Sequence, residues 1–157
     1  MRTWFDQLPF AKLSLMETSE VRRRVRQAME QARRASVERR MRADAAARAY
    51  DTFLLNVATP VFQMFANALK AEGYPFQVFT PAGGLRLMSE RSSDDYIELV
   101  LDTTGDPPVV AARVNRGRGR RVLTTERPLR ADRAVEHLTE EDVLELLLGE
   151  IEPFVER

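Results

Sequence analysis

ANALKAEGYPFQVFTPAGGLRLMSE, residues 66–90, is where the chain changes its period. Up to Glu72 the apolar residues fit a helix, and Gly73 supplies the residue that most readily ends one. Beyond Gly73 apolar and polar residues alternate, which is the signature of a half-buried strand. FQVFT (76–80) and LRLMS (85–89) read as the first two strands, with PAGG (81–84) as the turn between them. PAGG is no phosphate loop, because a strand follows it and offers no helix N-terminus to an anion.

Downstream the same period continues through YIELVLD (96–102), VVAARV (109–114) and RRVLTTE (120–126), separated by turns rich in Pro, Gly and Asp. Such short connections predict an antiparallel meander. Ile97, Leu99 and Leu101 point one way and Glu98 and Asp102 the other, which predicts one wet face. A last helix is expected from Thr139, with Leu138 and Val143 forming a hydrophobic staple and Val143, Leu144, Leu147 and Ile151 facing inward. Pro153 is expected to end or kink it.

Upstream, one apolar stripe runs at helical spacing through Val21, Val25, Ala28, Met29, Ala32, Ala35, Ala43, Ala46, Ala47, Tyr50, Phe53, Leu54 and Val57, interrupted by Ser36 and Arg39. Thr18 or Ser19 is the expected cap. The stripe is small and alanine-rich before Tyr50 and bulky after it. The bulky half should therefore face the core, and the alanine half should pack closely on another helix. Thr59-Pro60 suits a cap followed by a first helical position, so a short break is expected there before a second helix that runs to about Glu72. Residues 1–16, with Trp4, Phe5, Leu8, Phe10, Leu13 and Leu15, are too apolar for a free tail and should pack on the domain or on a second subunit.

The reading is an α+β protein: a long N-terminal amphipathic helix, a short second helix, a five-stranded antiparallel meander and a C-terminal helix on one face of the sheet. Residues 1–50 form an arm and protruding basic helix, and residues 51–157 the globular part. A helix over residues 19–58 would be about 60 Å long at ~1.5 Å per residue, against about 17 Å for a five-residue strand. The sheet cannot cover that stripe, so either the N-terminal arm folds back along it or a second chain covers it. The economical expectation is a two-fold dimer, with an intramolecular bundle of this helix, the second helix and the C-terminal helix as the alternative. The association seam is then Val21, Val25, Ala28, Met29, Ala32, Ala35, Ala43 and Ala46, with Arg39 helping to set register.

Composition narrows the function classes. The 157 residues are 44% hydrophobic and 31% charged, as in a soluble globular domain. There is no cysteine, hence no disulfide or thiol chemistry, and one histidine, His137, so a metal site would fall to carboxylates alone. Asp6, Gln7 and Pro9 interrupt the apolar core that a signal peptide needs, and the cytoplasm is the expected compartment. Thr52 to Leu69 carries no charge over eighteen residues, yet Thr52, Asn56, Thr59, Pro60, Gln63 and Asn67 within it favour a buried core helix over a membrane span.

Residues 20–48 hold ten arginines and four acids, a net charge of +6. Glu20, Glu30, Glu38 and Asp44 each have an arginine four residues later (Arg24, Arg34, Arg42, Arg48), which explains those four as helix support. Arg22, Arg23, Arg26, Arg33, Arg39 and Arg40 are left as candidate phosphate contacts, joined by Arg116, Arg118, Arg120 and Arg121 of NRGRGRR, residues 115–121. Against these, residues 90–106 sum to −5 and residues 134–157 to −7, and the whole chain is neutral. A basic face here therefore has an acidic face of its own protein as a natural partner, which ranks nucleic acid second.

No catalytic constellation emerges. Glu90, Asp94, Asp95, Glu98, Asp102 and Asp106 cluster in sequence, as in sites that hold magnesium for hydrolysis, but no lysine follows them on the next strand, and cross-strand pairing of Glu98 with Arg86 or Arg113 accounts for them more simply. Glu136-His137 reads as incidental, and Ser92 and Ser93 have no base nearby. The expectation is a non-enzymatic, self-associating interaction or scaffold module with no cofactor, metal or small-molecule ligand. A protein binding nucleic-acid backbone is the alternative, and a carboxylate-metal hydrolase a distant third.

Overall fold

A computed structural model describes residues 10–156, with side chains from residue 17 onward. The expected arm of residues 1–16 lies outside the described side chains. The element order is α1 (Phe10–Phe53), a π-helical turn (Leu54–Ala58), α2 (Thr59–Ala71), β1 (Phe76–Phe79), β2 (Gly84–Ser89), β3 (Tyr96–Asp102), β4 (Val109–Arg118), β5 (Arg121–Pro128), a 3-10 turn (Val135–His137) and α3 (Glu140–Val155). This is the α+β architecture read from the sequence. The chain divides into two units, Met1–Met41 and Arg42–Arg157.

In the first unit α1 already begins at Phe10, so Thr18 and Ser19 lie inside the helix instead of capping it. No Gly or Pro occurs between Phe10 and Thr59, and Ala11, Lys12, Leu13, Leu15 and Met16 are strong helix formers.

The expected break at Thr59-Pro60 is absent. Pro60 has no N–H to give to the carbonyl of Asn56 and its ring would clash there. The chain answers with a π-turn: the Thr59 amide reaches back five residues to the Leu54 carbonyl, and the Thr59 hydroxyl donates to the same oxygen at 2.6 Å. The helix continues through with one wide turn. It stops where predicted. Gly73 adopts φ +90°, its amide bonds to the Lys70 carbonyl at 3.1 Å, and the Tyr74 amide bonds to the Leu69 carbonyl at 2.8 Å, a Schellman ending.

The sheet is antiparallel throughout, in the order β1-β2-β3-β4-β5. Its first turn is closed by Gly84 N–H donating to the Pro81 carbonyl at 2.8 Å, with Gly83 at φ +73°. The last hairpin is longer than expected. Arg118 lies directly opposite Arg121, and the two-residue turn between them places Gly119 at φ +58°, as a II′ turn requires of its first central residue. Arg116 and Arg118 are therefore strand residues.

One face of the sheet carries the core. Leu85, Leu87, Ile97, Leu99, Ala112 and Val114 pack with Tyr50, Phe53, Ala58, Phe62, Val143 and Leu147 from the helical segments. Each fully buried Leu, Ile or Phe contributes about 1.5–3 kcal/mol. The bulky half of the stripe does face the core, and Ala46, Tyr50 and Phe53 in the last turns of α1 belong to the second unit. Tyr50 also donates its hydroxyl to the Gly83 carbonyl at 2.8 Å, and burial pushes its ionisation well above the usual tyrosine range.

Helix α3 starts as expected. Thr139 Oγ1 accepts from the Asp142 amide at 3.3 Å and Asp142 Oδ2 accepts from the Thr139 amide at 2.9 Å, a reciprocal capping box. Pro153 does not end α3, which runs on to Val155. The Tyr74 hydroxyl donates to the Val155 carbonyl at 3.0 Å, and Phe154 meets Phe76 edge-to-face at 6.2 Å. Both contacts tie the end of α3 to the start of β1.

The face opposite the core departs from expectation. Strand alternation predicts a wet face here, yet Glu98 is only 5% exposed and Ala111 2%. The strand register builds a row Arg86, Glu98, Arg113, Glu126 across β2 to β5. Arg86 bonds Glu98 at 3.1 Å and stacks over the Tyr96 ring at 3.9 Å, so long side chains roof the carboxylate. Arg113 pairs with Glu126 at 3.1 Å instead of with Glu98. Among the described residues the buried Arg86 Nε has no hydrogen-bond acceptor.

Candidate association surfaces

In the first unit the predicted seam is open. Val21 is 55%, Val25 50% and Met29 51% exposed; Ala28 and Ala32 are exposed and Ala35 is half-buried. The last two seam residues lie in the second unit, where Ala43 is half-buried and Ala46 is buried. Val37 and Met41, off the stripe, are also exposed.

Two of the four predicted helix pairs form, Glu20 with Arg24 at 3.0 Å and Glu30 with Arg34 at 3.5 Å. Arg23, expected to be free, also engages Glu20 at 2.7 Å because three residues along a helix bring side chains as close as four do. The Arg23 and Arg24 guanidinium groups hold the Glu20 carboxyl below the usual range. Arg42 turns away from Glu38 to grip Asp106 in a two-pronged pair at 2.8 and 3.0 Å, a contact across sixty-four residues that no local pattern encodes. Arg22, Arg26, Arg33, Arg39 and Arg40 are exposed and make no ion pair among the described residues.

In the second unit Arg116, Arg118 and Arg121 project from one face of the β4–β5 hairpin, with Arg120 in its turn. The directly opposed Arg118 and Arg121 repel, since like charges across a strand pair are unfavourable. None of the four has an acidic partner among the described residues. Every residue of β5 is exposed.

The six acids of residues 90–106 do not converge. Glu90 accepts from Gln77 at 2.7 Å, Asp95 from the Gly117 amide at 2.9 Å, Glu98 from Arg86 and Asp106 from Arg42. Asp102 accepts from the Thr104 hydroxyl at 2.6 Å and from its amide, which hold its carboxyl low. Among the described residues no three His, Asp or Glu side chains gather as a metal-binding group. Glu136 and His137 are both exposed.

A cleft of about 500 Å³ is lined by Arg42, Ala46, Pro107, Pro108, Asp132 and Arg133. Three of its four charged side chains are engaged, Arg42 with Asp106, Asp132 with Arg130 at 2.9 Å and Arg133 with Asp142 at 2.7 Å, while the fourth, Glu136, forms no ion pair among the described residues. The Arg130 guanidinium holds the Asp132 carboxyl down to about 2.

An apolar surface along α2 and α3 escaped the sequence reading. One cleft of about 290 Å³ is lined by Val61, Met64, Phe65, Ala68 and Leu144, with Glu140 and Glu141 at its rim. A second, of about 320 Å³, shares Phe65 and Ala68 and adds Leu69, Leu148, Ile151 and Val155, with Glu72 at its rim. Met64 is 59% and Leu148 58% exposed. The signal was present in the uncharged run 52–69 and in LELLLG, residues 144–149, both of which hold more apolar residues than one buried stripe uses. The continuous helix from Glu17 to Ala71 also contains an 18-residue window of mean hydropathy 1.2, of which 28% is buried. Compared with protein-family models, curated proteins and solved structures, the chain gives no match.

Proposed function

We propose that this protein is a non-catalytic, self-associating interaction module, a dimer in its simplest form, in which the stripe Val21, Val25, Ala28, Met29, Ala32 of α1 is covered by a second copy. The observation that carries this reading is the half exposure of Val21, Val25 and Met29 on one side of a regular helix. A solvated amphipathic helix keeps its polar side wet and its apolar side covered, and a contiguous exposed apolar patch marks an interaction site. The core positions of Phe53, Ala58, Val61, Phe62 and Ala66 support a buried helix over a membrane span for residues 52–69, and with it a cytoplasmic protein. No cofactor, metal or small-molecule ligand is part of this reading.

Size-exclusion chromatography with light scattering tests it on the full chain. The wild type is expected as a concentration-dependent dimer and the Val25→Asp/Met29→Asp variant as a folded monomer, with a circular-dichroism spectrum like the wild type and a Tm that no longer rises with protein concentration. A monomeric wild type at high micromolar concentration overturns the reading.

A second reading rests on the opposed Arg118 and Arg121 and on Arg22, Arg26, Arg33, Arg39 and Arg40, which form no ion pair among the described residues: sequence-independent binding of nucleic-acid backbone. It requires an affinity that falls steeply with salt. Absence of any gel shift at low salt removes it.

A further inference from the structure

We infer that the surface receiving the α1 stripe is the apolar groove between α2 and α3 of a second copy; this rests on the self-association reading above and names its acceptor. Two independent matches carry it, one of length and one of charge.

The length match follows from helix rise. The first turns of α2 and α3 line one cleft and their last turns the other, and Phe65 and Ala68 belong to both, so the two clefts adjoin along α2 from Val61 to Glu72. That is about 16 Å at ~1.5 Å per residue. The stripe from Val21 to Ala32 has the same number of steps and the same length. Its side chains are small or flexible, Val, Ala and Met, which suits a shallow groove floored by Phe65 and Ala68.

The charge match is directional. At ~100° per residue, Arg22, Arg26, Arg33 and Arg40 all fall about 100–140° round from Val21, making one basic edge of unpaired arginines among the described residues, whereas the other side carries Glu20, Gln31 and Glu38 together with Arg24, whose charge is engaged by Glu20. The groove has exposed acids at both ends, Glu140 and Glu141 at one and Glu72 at the other. None of the three forms an ion pair among the described residues. Arg22 and Arg33 are as far apart along their helix as Val61 and Glu72 are along α2, so a helix crossing the groove obliquely, from the α3 wall at its Glu140 end to the α2 wall at its Glu72 end, brings an arginine to each end. Reciprocal docking closes a two-fold dimer with two such contacts. The basic helix thereby finds its acid in a twin of its own chain, which agrees with a strongly charged but neutral sequence.

Charge exchange in the full-length protein tests this. Variant one carries Arg22→Glu, Arg26→Glu and Arg33→Glu; variant two carries Glu72→Arg, Glu140→Arg and Glu141→Arg. Each alone is expected to weaken dimerisation about a hundredfold, from three exposed pairs in each of two contacts. An equimolar mixture should recover a heterodimer near wild-type strength, because the reversed helix meets the reversed groove and the two unaltered surfaces meet each other. Met64→Gln/Leu148→Gln, at exposed positions that fold independently of cap electrostatics, should weaken association about tenfold. If variant two and the Met64/Leu148 variant dimerise like wild type while Val25→Asp/Met29→Asp does not, the stripe pairs with another surface: this inference falls and the self-association reading stands. A monomeric wild type removes both.

Discussion

Replacing Asp142 with alanine removes a carboxylate that closes the N-terminus of α3 and anchors two arginines. Its side chain is 3% exposed. Oδ2 accepts from the Thr139 amide at 2.9 Å and from Arg133 Nη1 at 2.7 Å, and Oδ1 accepts from Arg133 at 3.0 Å and Arg130 at 3.3 Å. Loss of the cap partner costs about 1 kcal/mol. The bonds to Arg133 and Arg130 would be worth more if buried, but those side chains are 37% and 32% exposed and rehydrate, which reduces their share to about 1 kcal/mol. With the favourable charge at a helix N-terminus adding about 0.5 kcal/mol, Asp142→Ala should destabilise by about 2–3 kcal/mol. In a chain of this size that is about 5–10 °C in Tm.

The pH dependence makes the prediction sharper. Burial pushes the Asp142 carboxyl up, but the Thr139 amide and hydroxyl and the Arg133 charge outweigh it and leave it below the ordinary aspartate value. A group depressed in the folded state contributes stability that is present above its unfolded pKa and is lost as pH falls through its folded pKa. The gap between wild type and Asp142→Ala should therefore be complete at neutral pH and shrink below about pH 4. Urea melts followed by circular dichroism at pH 7, 4 and 2.5 measure it, with carboxylates common to both proteins cancelling in the difference. A gap under about 0.5 kcal/mol at pH 7, or one that persists unchanged at pH 2.5, refutes the reasoning.

Glu98→Ala should destabilise by about 2–4 kcal/mol, because it leaves the part-buried Arg86 guanidinium without its counter-charge; the double variant Arg86→Met/Glu98→Leu should lose less than Glu98→Ala, and urea midpoints decide the order. Gly117→Val should cost about 1–3 kcal/mol, because even a Cβ at residue 117 would stand 3.3 Å from Asp94 Cβ; unchanged thermal stability would show that the 94–95 turn yields freely. If the basic patches act on an acidic face of a second copy, dimerisation of the wild type should weaken as salt rises from low to moderate concentration; salt-independent dimerisation would leave the apolar stripe as the sole source of affinity.

Features legible in the sequence are those encoded within a few residues. The Schellman ending at Gly73, the capping box at Thr139 and the alternation of Leu85–Leu87 and Ile97–Leu99 each depend on neighbours no farther than one turn or one strand away. Alternation also established the meander, since short turns leave strands only one place to go. Local pattern failed where two short-range rules competed. Pro60 reads as a helix start, but the uninterrupted helix formers on either side let a single π-turn absorb it. Arg23 reads as unpaired under a four-residue rule, yet a three-residue spacing serves Glu20 equally well.

Sequence alone thus determined the element types, their order and the apolar stripe of α1, because helix and strand periods and end signals are local properties of the backbone. Only the tertiary structure decided that Arg42 pairs with Asp106, that Glu98 is roofed by Arg86 and that α2 and α3 leave an acid-rimmed groove between them. These depend on which distant segments pack together, and packing is selected by burial of the whole apolar surface at once. No single stretch of chain contains that information.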